Sequence, residues 1–178
     1  MARRARGRRA SAGDVAPPRI RRVDGPRVRL TLRADWGACY WAEDPLGAFV
    51  EVFRTRLLLT DDDIDARELT TITIGEPLEL ADLTKRAALA AGVTADLVHG
   101  ADYTGVQMLA SDVVELRQGV RWRVRHDLEQ ELIGVALFGR LGTDASFARD
   151  EHAEPISPEL QEQAGRAFGY EVLPGIRP

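Results

Sequence analysis

The stretch from residue 37 to 53, GACYWAEDPLGAFVEVF, constrains this chain more than any other segment. Its first half reads as a short buried strand; Asp44 then supplies an N-cap oxygen, and Pro45 takes the first helical position, where its missing N–H costs nothing. A strand must therefore turn directly into a helix that ends near Phe53 or Arg56. On that helix Leu46, Phe49, Val50 and Phe53 recur at i, i+3, i+4 and i+7 and make a core stripe. The opposite side ought to be polar, yet it holds Gly47, Ala48 and Val52, which leaves Glu51 as the helix's only carboxylate. Two readings of Glu51 stand at this point. It is a desolvated carboxylate on a helix that is covered on both sides or borders a cavity, or it is partly solvated and pairs with Arg54 at i+3, a contact worth roughly a few tenths of a kcal/mol.

The rest of the chain alternates strands and helices irregularly. ELTTITI at 68–74 alternates and is β-branched, and LELADLT at 78–84 reads as a second strand. Short helices are expected at Lys85–Ala91 and Thr94–His99. A longer one is expected over Tyr103–Leu116, where Val106, Leu109, Ala110 and Val113 fall at helical spacing. GVRWRV at 119–124 alternates, setting Arg121, Arg123 and Arg125 on one face and Val120, Trp122 and Val124 on the other. ELIGVALFG at 131–139 is a more fully buried strand, Ser157 and Pro158 start a last helix, and YEVL after Gly169 closes the chain as a strand. Without regular βαβ spacing the fold class is α+β, a mixed sheet with flanking helices.

Charge is spread unevenly. Residues 1–30 carry ten arginines against Asp14 and Asp24, a net +8, so the remainder carries −12 of the total −4. The acidic body argues against wrapping nucleic acid, whose affinity rests on phosphate contacts. The Arg/Ala/Gly-rich residues 1–18 read as a disordered leader in preference to a nucleic-acid arm, with the folded domain over 19–178. One cysteine and three histidines without metal-ligand spacing give no disulfide framework and no zinc motif. No apolar run approaches the ~20 residues of a membrane-spanning helix, so a cytoplasmic protein is expected. Cys39 reads as a small buried hydrophobe, and His126–Asp127 as a turn ending a strand in preference to a catalytic pair.

GACYWAEDPLGAFVEVF, LELADLT, DYTGVQMLASDVVE, GVRWRVRHD and LIGVALFG together resemble, in order and spacing, the segments of the RES domain family, over about residues 27–173. The resemblance implies a fold similar to the ADP-ribosyltransferases and an NAD+-consuming toxin of a bacterial toxin–antitoxin pair. Such a toxin cleaves the nicotinamide–ribose bond by phosphorolysis or hydrolysis. NAD+ is then the substrate, inorganic phosphate a possible co-substrate, and neither a metal nor a further cofactor is called for. The implied partner is a cognate antitoxin, generally of the helix-turn-helix (Xre) type. Glu51 matches the family glutamate, and Arg27, with Arg29 as second choice, matches the family arginine. Tyr40 sits on the family's tyrosine-bearing strand as a substrate-binding candidate. Val124 stands where the family has a serine, which leaves a decayed, non-catalytic RES domain as the alternative. ADP-ribosylation of a macromolecule is a third reading that the fold relationship allows. The family's additional front strand is matched only by PPRIRRVDGP, so the body is expected to be short there.

Overall fold

β3 (Trp36–Ala42) runs into α1 (Pro45–Phe53) as the residues dictate. Asp44 is extended and its Oδ1 accepts from Gly47 N at 2.8 Å, with Pro45 in the first turn. Leu46, Gly47, Ala48, Phe49, Val50 and Phe53 are all buried. The helix is apolar on both sides because it is covered on both sides. The computed structural model describes residues 19–23, 30–33, 36–94, 103–140 and 148–175. The Arg-rich leader, Arg27, Arg29 and residues 95–99 of the helix expected after Thr94 lie outside these.

The remaining elements are β1 (Arg19–Val23), β2 (Leu30–Arg33), β4 (Leu58–Thr60), α2 (Asp61–Asp65), β5 (Glu68–Ile74), β6 (Leu80–Asp82), α3 (Arg86–Ala90), α4 (Tyr103–Val113), β7 (Gly119–Arg123), β8 (Ile133–Arg140), β9 (Ala148–Pro155), α5 (Pro158–Phe168) and β10 (Glu171–Leu173). The main sheet runs β6-β7-β8-β3-β1-β5-β9, with β2 also paired to β3. It is antiparallel except for the parallel β6–β7 edge, and a small parallel sheet joins β10 to β4. This is the expected α+β architecture with a mixed sheet.

One expectation is corrected. The front of the body is not short: Arg19–Val23 forms a strand inside the sheet, between β3 and β5. Ile20 faces Ile72 across the β1–β5 ladder and both are buried. Three arginines in five residues hide that strand in the sequence; Arg21 is satisfied by donating to the Glu43 carbonyl at 2.7 Å.

Strand alternation splits the core. On one face Ala42 joins α1, α5 and Val124, while Ala38, Ala136 and Phe138 pack on Ala110 and Val114 at α4. The other face buries Ile20, Trp41, Ile72, Val135 and Leu137. Phe49, fully buried, meets Phe53 at 4.6 Å and the edge of Tyr170 at 5.2 Å between ring centroids. Burial of such a side chain stabilises the fold by about 1.5–3 kcal/mol. α5 has the expected start, with Ser157 Oγ accepting from Leu160 N, and Gly169 ends it in the left-handed region at φ 75°. No helix among the described residues is long and apolar enough to cross a membrane.

Candidate functional site

Glu51, Tyr40 and Trp122 come together on the face that carries α1 and α4. The registers Ala42↔Gly134 and Gly134↔Trp122 set these three residues in one row across β3, β8 and β7; Tyr40, Ala136 and Val120 form the next row. Small residues let the partners approach. A Cβ on Gly134 would stand 2.6 Å from two carbons of the Trp122 indole, and one on Gly47 would stand 3.1 Å from Ala42 Cβ. Helix α1 and the indole therefore close down on the sheet near one another, near enough for the Trp122 side chain, as a donor, to lower the Glu51 pKa. The Tyr40 ring stands edge-on to Trp122 at 6.0 Å and 82°, with 39% of the residue exposed.

Glu51 as a residue keeps some exposure, but its carboxyl group is enclosed by protein. Desolvation is the largest influence and pushes its pKa above the ordinary 4.5, while the Arg54 charge and the Trp122 hydrogen bond hold it down. The Glu51–Arg54 relationship expected at i+3 thus exists electrostatically, although the direct hydrogen bond runs from Arg54 Nε to the Glu51 carbonyl at 3.1 Å.

Arg54 itself is strained. Its φ of 51° and ψ of −119° place a non-glycine residue at the first central position of a turn closed by Arg56 N donating to Phe53 O at 3.0 Å. The Tyr170 hydroxyl, donating to the Arg54 carbonyl at 2.6 Å, pins this turn. Burial, and then the Glu51 charge, push the Tyr170 pKa up to about 12, so this phenol stays protonated. Beyond Arg54 lies a recess of about 180 Å³ lined also by Thr55, Leu57, His126, Phe168 and Tyr170. Desolvation, then repulsion from Arg125 and Arg54, hold the His126 pKa below its usual value.

Val124 lies just past β7, 1% exposed, in the core cluster with Phe49 and Val50. Its side chain fills the interior, as the alternation with Trp122 implied. Asp127 is no partner for His126. Its carboxylate accepts from the N–H groups of Glu129 (3.0 Å), Glu131 (2.6 Å) and Leu132 (2.7 Å), which clasps the turn. Cys39 is half-buried and accepts from Arg22 NH1 at 3.2 Å. Arg27 and Arg29 lie outside the described residues, so the site is built from Glu51, Tyr40 and their neighbours.

Sequence reasoning did not single out Trp122, Arg54 or Tyr170 as site residues. A tryptophan alternating with arginines and a glycine inside the apolar run LIGVALFG were the available signals; neither says which helix the indole meets.

The RES domain family model matches residues 3–158 of the 178, so the chain belongs to the RES domain family. No curated protein and no solved structure matches the chain.

Proposed function

We propose that this chain is an NAD+-consuming enzyme that breaks the bond between nicotinamide and ribose, with Glu51 as its working carboxylate. The observation that carries the reading is the enclosed Glu51 carboxylate beside Trp122 and the exposed ring of Tyr40. As the bond from ribose C1′ to the nicotinamide nitrogen breaks, its electron pair leaves with nicotinamide and positive charge develops on the sugar. A fixed carboxylate in a water-poor site stabilises that charge more than water would. An oxygen of water or inorganic phosphate then bonds to C1′ and loses its proton. The products are nicotinamide with ADP-ribose, or with its 1″-phosphate. Tyr40 offers a flat surface on which the nicotinamide ring stacks. Arg27, with Arg29 as the alternative, takes the pyrophosphate or incoming phosphate, for which a guanidinium fork is suited. The activity would make the chain a growth-inhibiting toxin, held in check by a cognate helix-turn-helix antitoxin of the Xre type that covers the site.

A second reading, a RES domain that has lost catalysis, is favoured by one observation: buried Val124 brings no hydroxyl where the family has serine. Nicotinamide release from NAD+ by the purified chain, with and without phosphate, separates the two. Release that disappears in Glu51→Ala supports the enzyme, and phosphate dependence names the acceptor. A folded parent that releases no nicotinamide overturns the proposal in favour of the second reading.

A further inference from the structure

A second link, on the far side of β7, joins the strand that carries Trp122 to the start of α1. Arg121, the residue before Trp122, presents its guanidinium as a fork to Glu43, with Nε to Oε1 at 2.5 Å and NH2 to Oε2 at 3.0 Å. Its NH1 also reaches Asp82 Oδ2 at 3.3 Å and Thr84 Oγ1 at 3.2 Å. Glu43 is immobilised in turn: its N–H donates to the Ile133 carbonyl at 3.0 Å, and its own carbonyl accepts from Arg21 at 2.7 Å. Glu43 directly precedes Asp44, the N-cap of α1. The constraints close a ring, from Glu51 through α1 to Glu43, across the ion pair to Arg121, and through the chain to Trp122 and back to Glu51.

We infer that Arg121 and Glu43 are positioning residues, whose bidentate pair ties strand β7 to the start of α1 and so sets the Trp122 indole on the Glu51 carboxylate. Bidentate geometry is what such a role requires, because two parallel N–H···O bonds fix orientation as well as distance. The ladder to β8 fixes the backbone of β7, on its outer side β7 meets only β6, a strand of three residues, and the ion pair adds a tie from β7 across β8 to the start of α1. Among the described residues, the charged and titratable groups acting on the Glu51 carboxylate are Arg54 at the end of its own helix and Tyr170 beyond α5, besides the Trp122 donor from β7.

The test reads the contact itself. In the ¹⁵N-labelled chain the Trp122 indole N–H resonance, assigned by its absence in Trp122→Phe, should shift as Glu51 titrates and lose that response in Glu51→Gln. Arg121→Gln and the nearly isosteric Glu43→Gln should each raise the titration midpoint by about one pH unit or abolish the response, since the donor that holds the proton off has moved. Arg121→Lys, which keeps the charge without the fork, should recover only part of it. Arg56→Gln, which breaks the comparable Arg56–Asp63 pair (2.8 and 2.5 Å) elsewhere on the surface, is the control. The inference is overturned if the midpoint is unchanged in both Gln variants, if Arg56→Gln moves it equally, or if the parent resonance does not follow Glu51. Turnover adds an arm that rests on the proposed function: kcat should fall ~10- to 100-fold with little change in KM. A parent without turnover removes that arm and the enzymatic reading together, leaving the resonance test intact.

Discussion

The Trp122 side chain, reaching from strand β7, acts as a donor toward the Glu51 carboxylate of helix α1 and holds its pKa down. This donor and the Arg54 charge oppose the desolvation that otherwise pushes Glu51 toward its neutral form. Much of what the site can do turns on that balance.

Replacing Glu51 by Gln should stabilise the fold while removing activity. Burial raises the folded-state pKa above the unfolded value of about 4.5, so the folded chain binds the proton more tightly. The stability this group contributes is fully present below pH 4.5 and is lost as pH rises through the folded pKa. Thermal melts should therefore show Glu51→Gln more stable than the parent at pH 7, with the gap closing toward pH 4. Nicotinamide release should drop about 10²- to 10³-fold. A variant less stable than the parent at pH 7 would contradict the desolvated carboxylate.

Trp122→Phe keeps the ring and deletes the donor. The hydrogen bond lowers the Glu51 pKa, so losing it should move the acid limb of kcat/KM to higher pH. A pH–rate profile with an unmoved acid limb would place the indole outside the working site.

Arg54→Gly should separate backbone strain from charge. Glycine adopts φ near 51° freely, and relief of a strained turn is worth about 1 kcal/mol in urea unfolding. The same change removes the cation that lowers the Glu51 pKa, so the acid limb should again rise. Stability up with the limb unmoved would show the arginine to be irrelevant to Glu51.

Val124→Ser tests the position that the resemblance matches to the family serine. The side chain is 1% exposed among apolar neighbours, so a hydroxyl there is buried and two methyl groups are lost. Unfolding free energy should fall by about 2–4 kcal/mol, with no gain in nicotinamide release. A faster variant would mean that the hydroxyl reaches the ligand and that the parent is a disarmed member of the family.

Local patterns made much of the fold legible. The Asp44–Pro45 and Ser157–Pro158 starts, the β-branched run at 68–74 and the all-round apolar α1 were each written in neighbouring residues, and each appears where expected. β1 was not legible because its arginines disguise the alternation, and the sheet supplies their acceptors from residues far away in sequence. α2 and β9 were missed for related reasons: the first is a run of aspartates, capped by Thr60 and Asp63, and the second is a largely exposed, charged outer strand.

By itself the sequence determined that a single carboxylate would lie on an otherwise apolar helix, because periodicity and capping act over a few residues. It also determined that Val124 would face inward with Trp122, because alternation along a strand is local. Only the tertiary structure decided that Glu51 meets Trp122, that Tyr170 pins the Arg54 turn from more than a hundred residues away, and that Arg121 spends its charge on Glu43 and Asp82. Those contacts depend on strand order, cross-strand register and the close approach that Gly134 permits, none of which is encoded in any single segment.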